Sequence, residues 1–257
     1  MLNSRHFNIF FILFLLAWIS LDQKMHIGAP AYGWLLLIYL SVLFCGSYFI
    51  RLGFFLKSIC SAQTQEKCIA ITFDDGPAGE KTERILDILK EHQVQAAFFC
   101  IGKNISGHEL QLKRIIQEGH LIGNHSFTHH RYFDLYSVSK MRRELEDMSQ
   151  NCHSVTGHTP RFFRPPYGVT NPNLKKAIQQ TGMVSIGWSI RSLDTVIHNQ
   201  DRLRKRILRS LKPGAILLLH DTQETTVKLL PRLLEDLRDR GYRIERLDKM
   251  INLKPYV

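Results

Sequence analysis

The chain has 257 residues, 44% of them apolar and 22% charged. That is room for one domain of ordinary size plus an appendage, and it excludes a disordered chain, a collagen-like repeat and a small disulfide scaffold. The net charge of +11 suits an anionic membrane or wall polymer; no recognition motif with interleaved aromatics accompanies it, so nucleic acid is not an expected partner. Arg5, Lys24, Arg51, Lys57 and Asp22 precede residue 65, which leaves +8 on the rest of the chain. The five cysteines (Cys45, Cys60, Cys68, Cys100, Cys152) form no C-x-x-C pair, against a zinc ribbon or thioredoxin-type site. Cys100, in an apolar run, reads as an inert core residue.

Residues 7–21 are uncharged, and residues 25–50 contain no Asp, Glu, Lys or Arg. A bilayer core takes about 20 apolar residues in a helix. The chain therefore reads as an N-terminal hydrophobic membrane hairpin, with helices at about 7–21 and 31–50 joined at Gly28, Pro30 and Gly33. A cleaved signal followed by one anchor helix is the alternative, although 18–20 offer no small-residue cleavage site. This divides the chain into a membrane-anchoring segment, 1–60, and a globular domain, 61–257. Arg5, Arg51 and Lys57 flank the hairpin and, by the positive-inside rule, place the domain in the cytoplasm; Lys24 in the loop opposes them.

From residue 61 onward, short apolar runs alternate with segments of helical period. Expected strands are 68–73, 94–101, 120–123, 161–163, 183–187, 215–220 and 243–247. Expected helices are 82–92, 110–118, 138–152, 173–181, 201–210 and 224–240. In the third helix Met141, Leu145, Met148 and Cys152 share one face. About seven strands separated by helices argue for an α/β fold, a distorted (β/α) barrel with parallel strands. Functional residues in such a barrel gather at the C-terminal strand ends.

The first strand runs into Thr72-Phe73-Asp74-Asp75-Gly76-Pro77. Two adjacent carboxylates project differently, so one can ligate a metal while the other acts as base; Asp-Gly-Pro is also plain turn chemistry. After the third strand comes His125-Ser126-Phe127-Thr128-His129. Four-residue spacing on a helical turn puts both imidazoles on one face, as a divalent metal requires, or simply marks two surface or core histidines. With Asp75 these make a two-histidine, one-carboxylate set that leaves positions open for water and substrate. Arg164-Pro165-Pro166-Tyr167-Gly168 follows the fourth strand; its prolines aim the Tyr167 amide, and Arg164 can pair with a carboxylate. Trp188 and Arg191-Ser192-Leu193-Asp194-Thr195 follow the fifth, and Leu217-Leu218-Leu219-His220 closes the sixth.

The ordered series TFDDGP, HSFTH, RPPYG, RSLDT and LLLH resembles the polysaccharide deacetylases, the NodB homology domain of carbohydrate esterase family 4. The resemblance covers roughly residues 65–250. It implies a metal-dependent hydrolase that removes N-acetyl groups from an N-acetylhexosamine polysaccharide of the cell envelope. It further implies Asp74 as general base, and Asp75, His125 and His129 as ligands of a divalent metal, Zn²⁺ in the first instance with Co²⁺ or Ni²⁺ possible. Arg164 would hold the base, the Tyr167 amide would receive the oxyanion, and His220 would be the general acid tuned by Asp194. Leu218 and Trp188 would line the acetyl pocket. The fourth motif departs from the family, ending Asp194-Thr195 in place of Asp-Trp, which alters the apolar contact at the cleft. Other readings are an O-acetyl xylan-type esterase, an inactive membrane-held glycan-binding module, and a basic membrane protein that binds anionic polymers with the barrel as scaffold. The resemblance implies an external substrate and so a domain facing outside the cytoplasm, against the positive-inside reading.

Overall fold

Strand β1 (Cys68–Asp74) explains most of the architecture. All seven of its residues are buried, as expected of a parallel strand covered on both faces. Ile69, Ile71 and Phe73 point outward into the main core, and Ala70 points into the barrel. The period of two therefore carries Thr72 and Asp74 inward as well. In the computed structural model, which describes residues 3–26 and 28–257, the strands that follow are β2 (Ala97–Cys100), β3 (Leu121–Asn124), β4 (Phe162–Phe163), β5 (Val184–Ser185), β6 (Ile190–Arg191), β7 (Ala215–His220) and β8 (Arg243–Ile244).

Every named pairing is parallel, in the order β5-β4-β3-β2-β1-β7-β6, with β8 joined to the start of β1. The sheet curls as a barrel does but leaves β5 and β6 as separate edges. Residues 58–62 lie along that seam: Ile59 bridges Ile186, and Ser61 bridges Ala215.

The domain's helices are α3 (Glu80–Glu91), α4 (Glu109–Gln117), α5 (Val138–Thr156), α6 (Pro172–Thr181), α7 (Gln200–Arg209) and α8 (Glu224–Asp239). Each buries one stripe; in α8 it comprises Val227, Leu230, Leu233, Leu234 and Leu237. A short helix, α9 (Leu247–Ile251), caps the barrel floor, with Leu247 packed in the interior cluster. The last strand, expected over 243–247, ends at Ile244, and β6 adds a short strand to the seven expected. The chain bends at Leu247 because its side chain fills the floor, and β6 is only two residues long, too short to show a period.

The two N-terminal helices, α1 (Ser4–Met25) and α2 (Ala29–Tyr48), are both long and apolar enough to cross a membrane. Residues after them pack on the barrel. Leu56 is buried with Phe133, Met141, Leu145 and Phe163. Leu56→Ala is expected to cost about 2–5 kcal/mol of domain stability, read from the midpoint of urea unfolding. A change below about 0.5 kcal/mol, the scale of an ordinary surface substitution, would show that this segment is not part of the packed unit.

Candidate functional site

Asp74 and His220 end adjacent strands and face each other in register; one level below, Thr72 faces Leu218. Leu217 and Leu219 belong to the outer core, so Leu218 and His220 point inward like Thr72 and Asp74. Strand geometry alone thus brings Asp74, His220 and Leu218 to the top of the barrel.

Arg164 is fully buried beneath them. It donates to Asp74 Oδ1 at 2.7 Å, Thr72 Oγ1 at 2.8 Å, Gly187 O at 3.0 Å and Ile186 O at 3.3 Å, and its guanidinium lies 4.1 Å from the Phe99 ring centroid. Burial lowers its pKa, and the Asp74 charge and hydrogen bond oppose that. A buried cation needs such pairing, and the pairing fixes Asp74 in place.

The chain turns sharply after Asp74. Asp75 has φ 76°, which swings its carboxylate away from that of Asp74. Gly76 lies against Asp221, where an added Cβ would sit 2.0 Å from Oδ2. Asp75 Oδ1 lies 3.5 Å from His125 Nε2 and 3.6 Å from His129 Nε2, and one donor atom from each of the three lies within 4.8 Å of the others.

The two imidazoles do not converge on a helical turn, as their spacing had suggested. Residues 125–130 form an irregular loop in which Ser126 (φ 62°) and His129 (φ 48°) are left-handed. Asn124 and Glu144 hold this loop. Asn124 Oδ1 accepts from the Ser126 amide at 2.9 Å. Glu144 accepts from the Phe127 and Thr128 amides at 3.1 and 2.7 Å and from the Thr128 hydroxyl at 2.9 Å. Sequence reasoning missed both residues. A signal existed for Glu144, a carboxylate on the buried face of α5 beside Met141, Leu145 and Met148.

The donor set fits a divalent cation. Burial opposes ionisation of Asp75, but His125 and His129 more than offset it and hold the carboxyl well below its usual range. Burial and the His125 charge push His129 down to about 4, so its ring is neutral with a free lone pair at pH 7. His125 Nδ1 lies 2.7 Å from the Arg164 carbonyl, the outer contact that orients a ligating imidazole. Two imidazole nitrogens and one carboxylate oxygen make a three-ligand set with room for exchangeable positions.

Across the mouth, Asp194 is fully buried and binds His220 twice, Oδ1 to the ring Nδ1 at 2.8 Å and Oδ2 to the backbone N–H at 2.7 Å. Thr226 and Ser192 hydroxyls donate to the same carboxylate at 2.6 and 2.9 Å. Burial lowers the His220 pKa, but Asp194 and the charges of Asp74 and Asp75 outweigh it and raise it to about 9. Thr226 and Ser192 were not anticipated, because hydroxyls of this kind are common at strand and helix ends. Asp221, beside His220, is buried with its pKa raised by burial to about 7; Thr82 donates to its Oδ2 at 2.7 Å.

Tyr167, at φ 58°, is half exposed, its ring centroid 4.7 Å from that of His129. Trp188 packs on Gly168, where an added Cβ would meet its ring at 2.3 Å. Nine of the ten residues expected from sequence thus lie on strand ends or loops at the C-terminal rim of the sheet; Leu218 lies one level below, inside β7.

The sequence profile of a family described as polysaccharide deacetylase matches residues 61–186. A peptidoglycan N-acetylmuramic acid deacetylase of Bacillus subtilis is 32% identical over 192 residues, covering 73% of this chain and 73% of the relative. The chain belongs to the polysaccharide deacetylase family. A peptidoglycan N-acetylglucosamine deacetylase of Listeria monocytogenes is 34% identical over 199 residues, 77% of this chain; the chain spans 42% of the length of that longer relative. A crystal structure of a peptidoglycan N-acetylglucosamine deacetylase, bound to an N-hydroxybenzamide, superposes with a TM-score of 0.73 at 30% identity, covering 77% of this chain and 94% of the other. The curled parallel sheet is the fold this polysaccharide deacetylase domain shares with that structure.

Proposed function

We propose that this protein is a metal-dependent hydrolase that removes N-acetyl groups from an N-acetylhexosamine glycan of the cell envelope, releasing acetate and a free amino sugar. The observation that carries the reading is the convergence on one rim of a three-donor cluster (Asp75, His125, His129), an arginine-held carboxylate (Asp74) and a carboxylate-backed imidazole (His220). In this reading residues 1–60 are the membrane anchor and residues 61–257 the catalytic domain, facing outside the cytoplasm.

Asp75, His125 and His129 would hold the cation, Zn²⁺ in preference to Co²⁺ or Ni²⁺. When bound, it supplies Lewis-acid polarisation of the acetamide carbonyl and lowers the pKa of the attacking water toward neutrality. Asp74, pinned by Arg164, takes the proton from the attacking water. The Tyr167 amide receives the oxyanion; a donor of this kind is worth about 3–4 kcal/mol. His220, charged because Asp194 faces it, protonates the leaving amine. Leu218 and Trp188 wall the acetyl methyl.

The pH dependence follows from the His220–Asp194 pair. A group whose folded pKa is raised holds its proton until the pH passes that value. The alkaline limb of kcat/KM is therefore expected near pH 9. Asp194→Asn removes the raising charge, and the limb should move down toward 6.5, the ordinary imidazole value. An unmoved limb would assign it to another group.

The test is acetate release from an N-acetylglucosamine oligomer, with O-acetylated xylan as comparison. Release from the oligomer supports the proposal. Release from xylan alone makes the protein an O-acetyl esterase, and release from neither by folded, metal-loaded protein leaves a binding module.

A further inference from the structure

The catalytic rim and the membrane hairpin meet at one place. The Thr170 amide donates to the Ser47 carbonyl at 3.0 Å, and the Ser47 hydroxyl donates to the Thr170 carbonyl at 2.7 Å. Thr170 lies three residues beyond Tyr167 on the loop after β4. The Ser4 amide donates to the Phe54 carbonyl at 2.9 Å, which ties the start of α1 to the same junction. Ile50 is buried beside Gly187, the residue before Trp188. The anchor is thus fastened to the face that carries the site.

Helix length then fixes the height of that face. The second hairpin helix has 20 residues, which at 1.5 Å per residue is about 30 Å, the thickness of a bilayer's hydrocarbon core. Ser47 is its next-to-last residue, so a hairpin that spans the bilayer has no length to spare and brings the rim to headgroup level.

Two further features agree. Apart from the junction and the chain end at Val257, the large apolar side chains the domain exposes are Leu110, Tyr132, Leu135, Tyr167 and Val196. Leu110 lies in the first turn of α4, and the others sit between β3 and α5, after β4 and after β6, so all are on the catalytic face. Leu110 and Leu135 are 81% and 80% exposed. An apolar groove of about 770 Å³ also runs along the second hairpin helix, lined by Trp34, Ile38, Val42 and Leu52, with Arg51 on its wall.

We propose that the catalytic rim lies on the bilayer surface and that the substrate is lipid-borne: an N-acetylated amino sugar joined through a phosphate linkage to a membrane lipid. The lipid chain lies in the groove, the phosphate meets Arg51, and the apolar rim seats in the interface. The chemistry is unchanged: water oxygen bonds to the acetyl carbon, the C–N bond breaks, and the amine leaves with a proton. The inference rests on the deacetylase reading and on a membrane-spanning hairpin.

The test uses the full chain in lipid vesicles with two probes, N-acetylglucosamine on a pyrophosphate-linked lipid in the same bilayer and a soluble N-acetylglucosamine tetramer. We expect kcat/KM for the lipid-borne sugar to exceed that for the tetramer. Leu135→Ser with Val196→Ser, and separately R51Q, should each lower lipid-borne turnover about tenfold, the scale of one lost apolar or charged contact. Both should leave tetramer turnover within about twofold, as surface substitutions do, which also shows that the variants fold. Preference for the tetramer, or equal loss on both probes, overturns the lipid-borne substrate and leaves the deacetylase intact. Hydrolysis of neither probe removes the deacetylase reading and this inference with it.

Discussion

Asp74→Asn is expected to lower kcat by about 10²–10⁴-fold, the worth of a positioned acid or base, while the protein still binds its metal ion. Asn keeps the shape of Asp and an oxygen for Arg164, but has no basic site for a proton. Asp74 stands outside the three-donor cluster; its Oδ2 is 3.8 Å from His125 Nε2. The substitution leaves buried Arg164 without its counter-charge, so some stability is lost as well. Titration calorimetry with Zn²⁺, run beside the kinetics, separates the two roles. Loss of metal affinity in this variant would make Asp74 a ligand and reverse the roles given to the two adjacent carboxylates.

His125→Ala is expected to abolish metal binding and activity together. His125 is buried, stands 3.5 Å from Asp75 Oδ1, and is oriented by the Arg164 carbonyl. Its loss leaves two donors where three converge. Removing an outer partner of a ligand costs about 10–100-fold in affinity, so removing the ligand should exceed the upper end of that range. Chelator competition gives the affinity, and circular dichroism reports whether the fold survives. A variant that binds metal as tightly as the parent would exclude His125 from the metal centre.

The strands were legible because strand periodicity is a property of the residues themselves. Cys68 through Ile71 and Ala215 through Leu219 are continuous apolar runs, and the polar residues that close the two strands, Asp74 and His220, are the functional ones. The loop conformations were not legible. Ser126, His129, Tyr167 and Leu193 all adopt positive φ without being glycine, and a side chain from elsewhere in the chain, Glu144, supports the loop of the first two. Long-range hydrogen bonds leave no local pattern. That is why the spacing of His125 and His129 suggested a helical turn where a loop held by Asn124 and Glu144 brings the rings together. The docking of Ser47 on Thr170, 123 residues apart, was invisible for the same reason.

The most direct test of the central claim is acetate release measured against metal occupancy of the full chain. Metal is removed by chelator and Zn²⁺ is returned in steps below one equivalent. Activity on an N-acetylglucosamine substrate is expected to vanish with the metal and to return in proportion to occupancy, saturating at one ion per chain. Full activity in the chelated protein would contradict that claim.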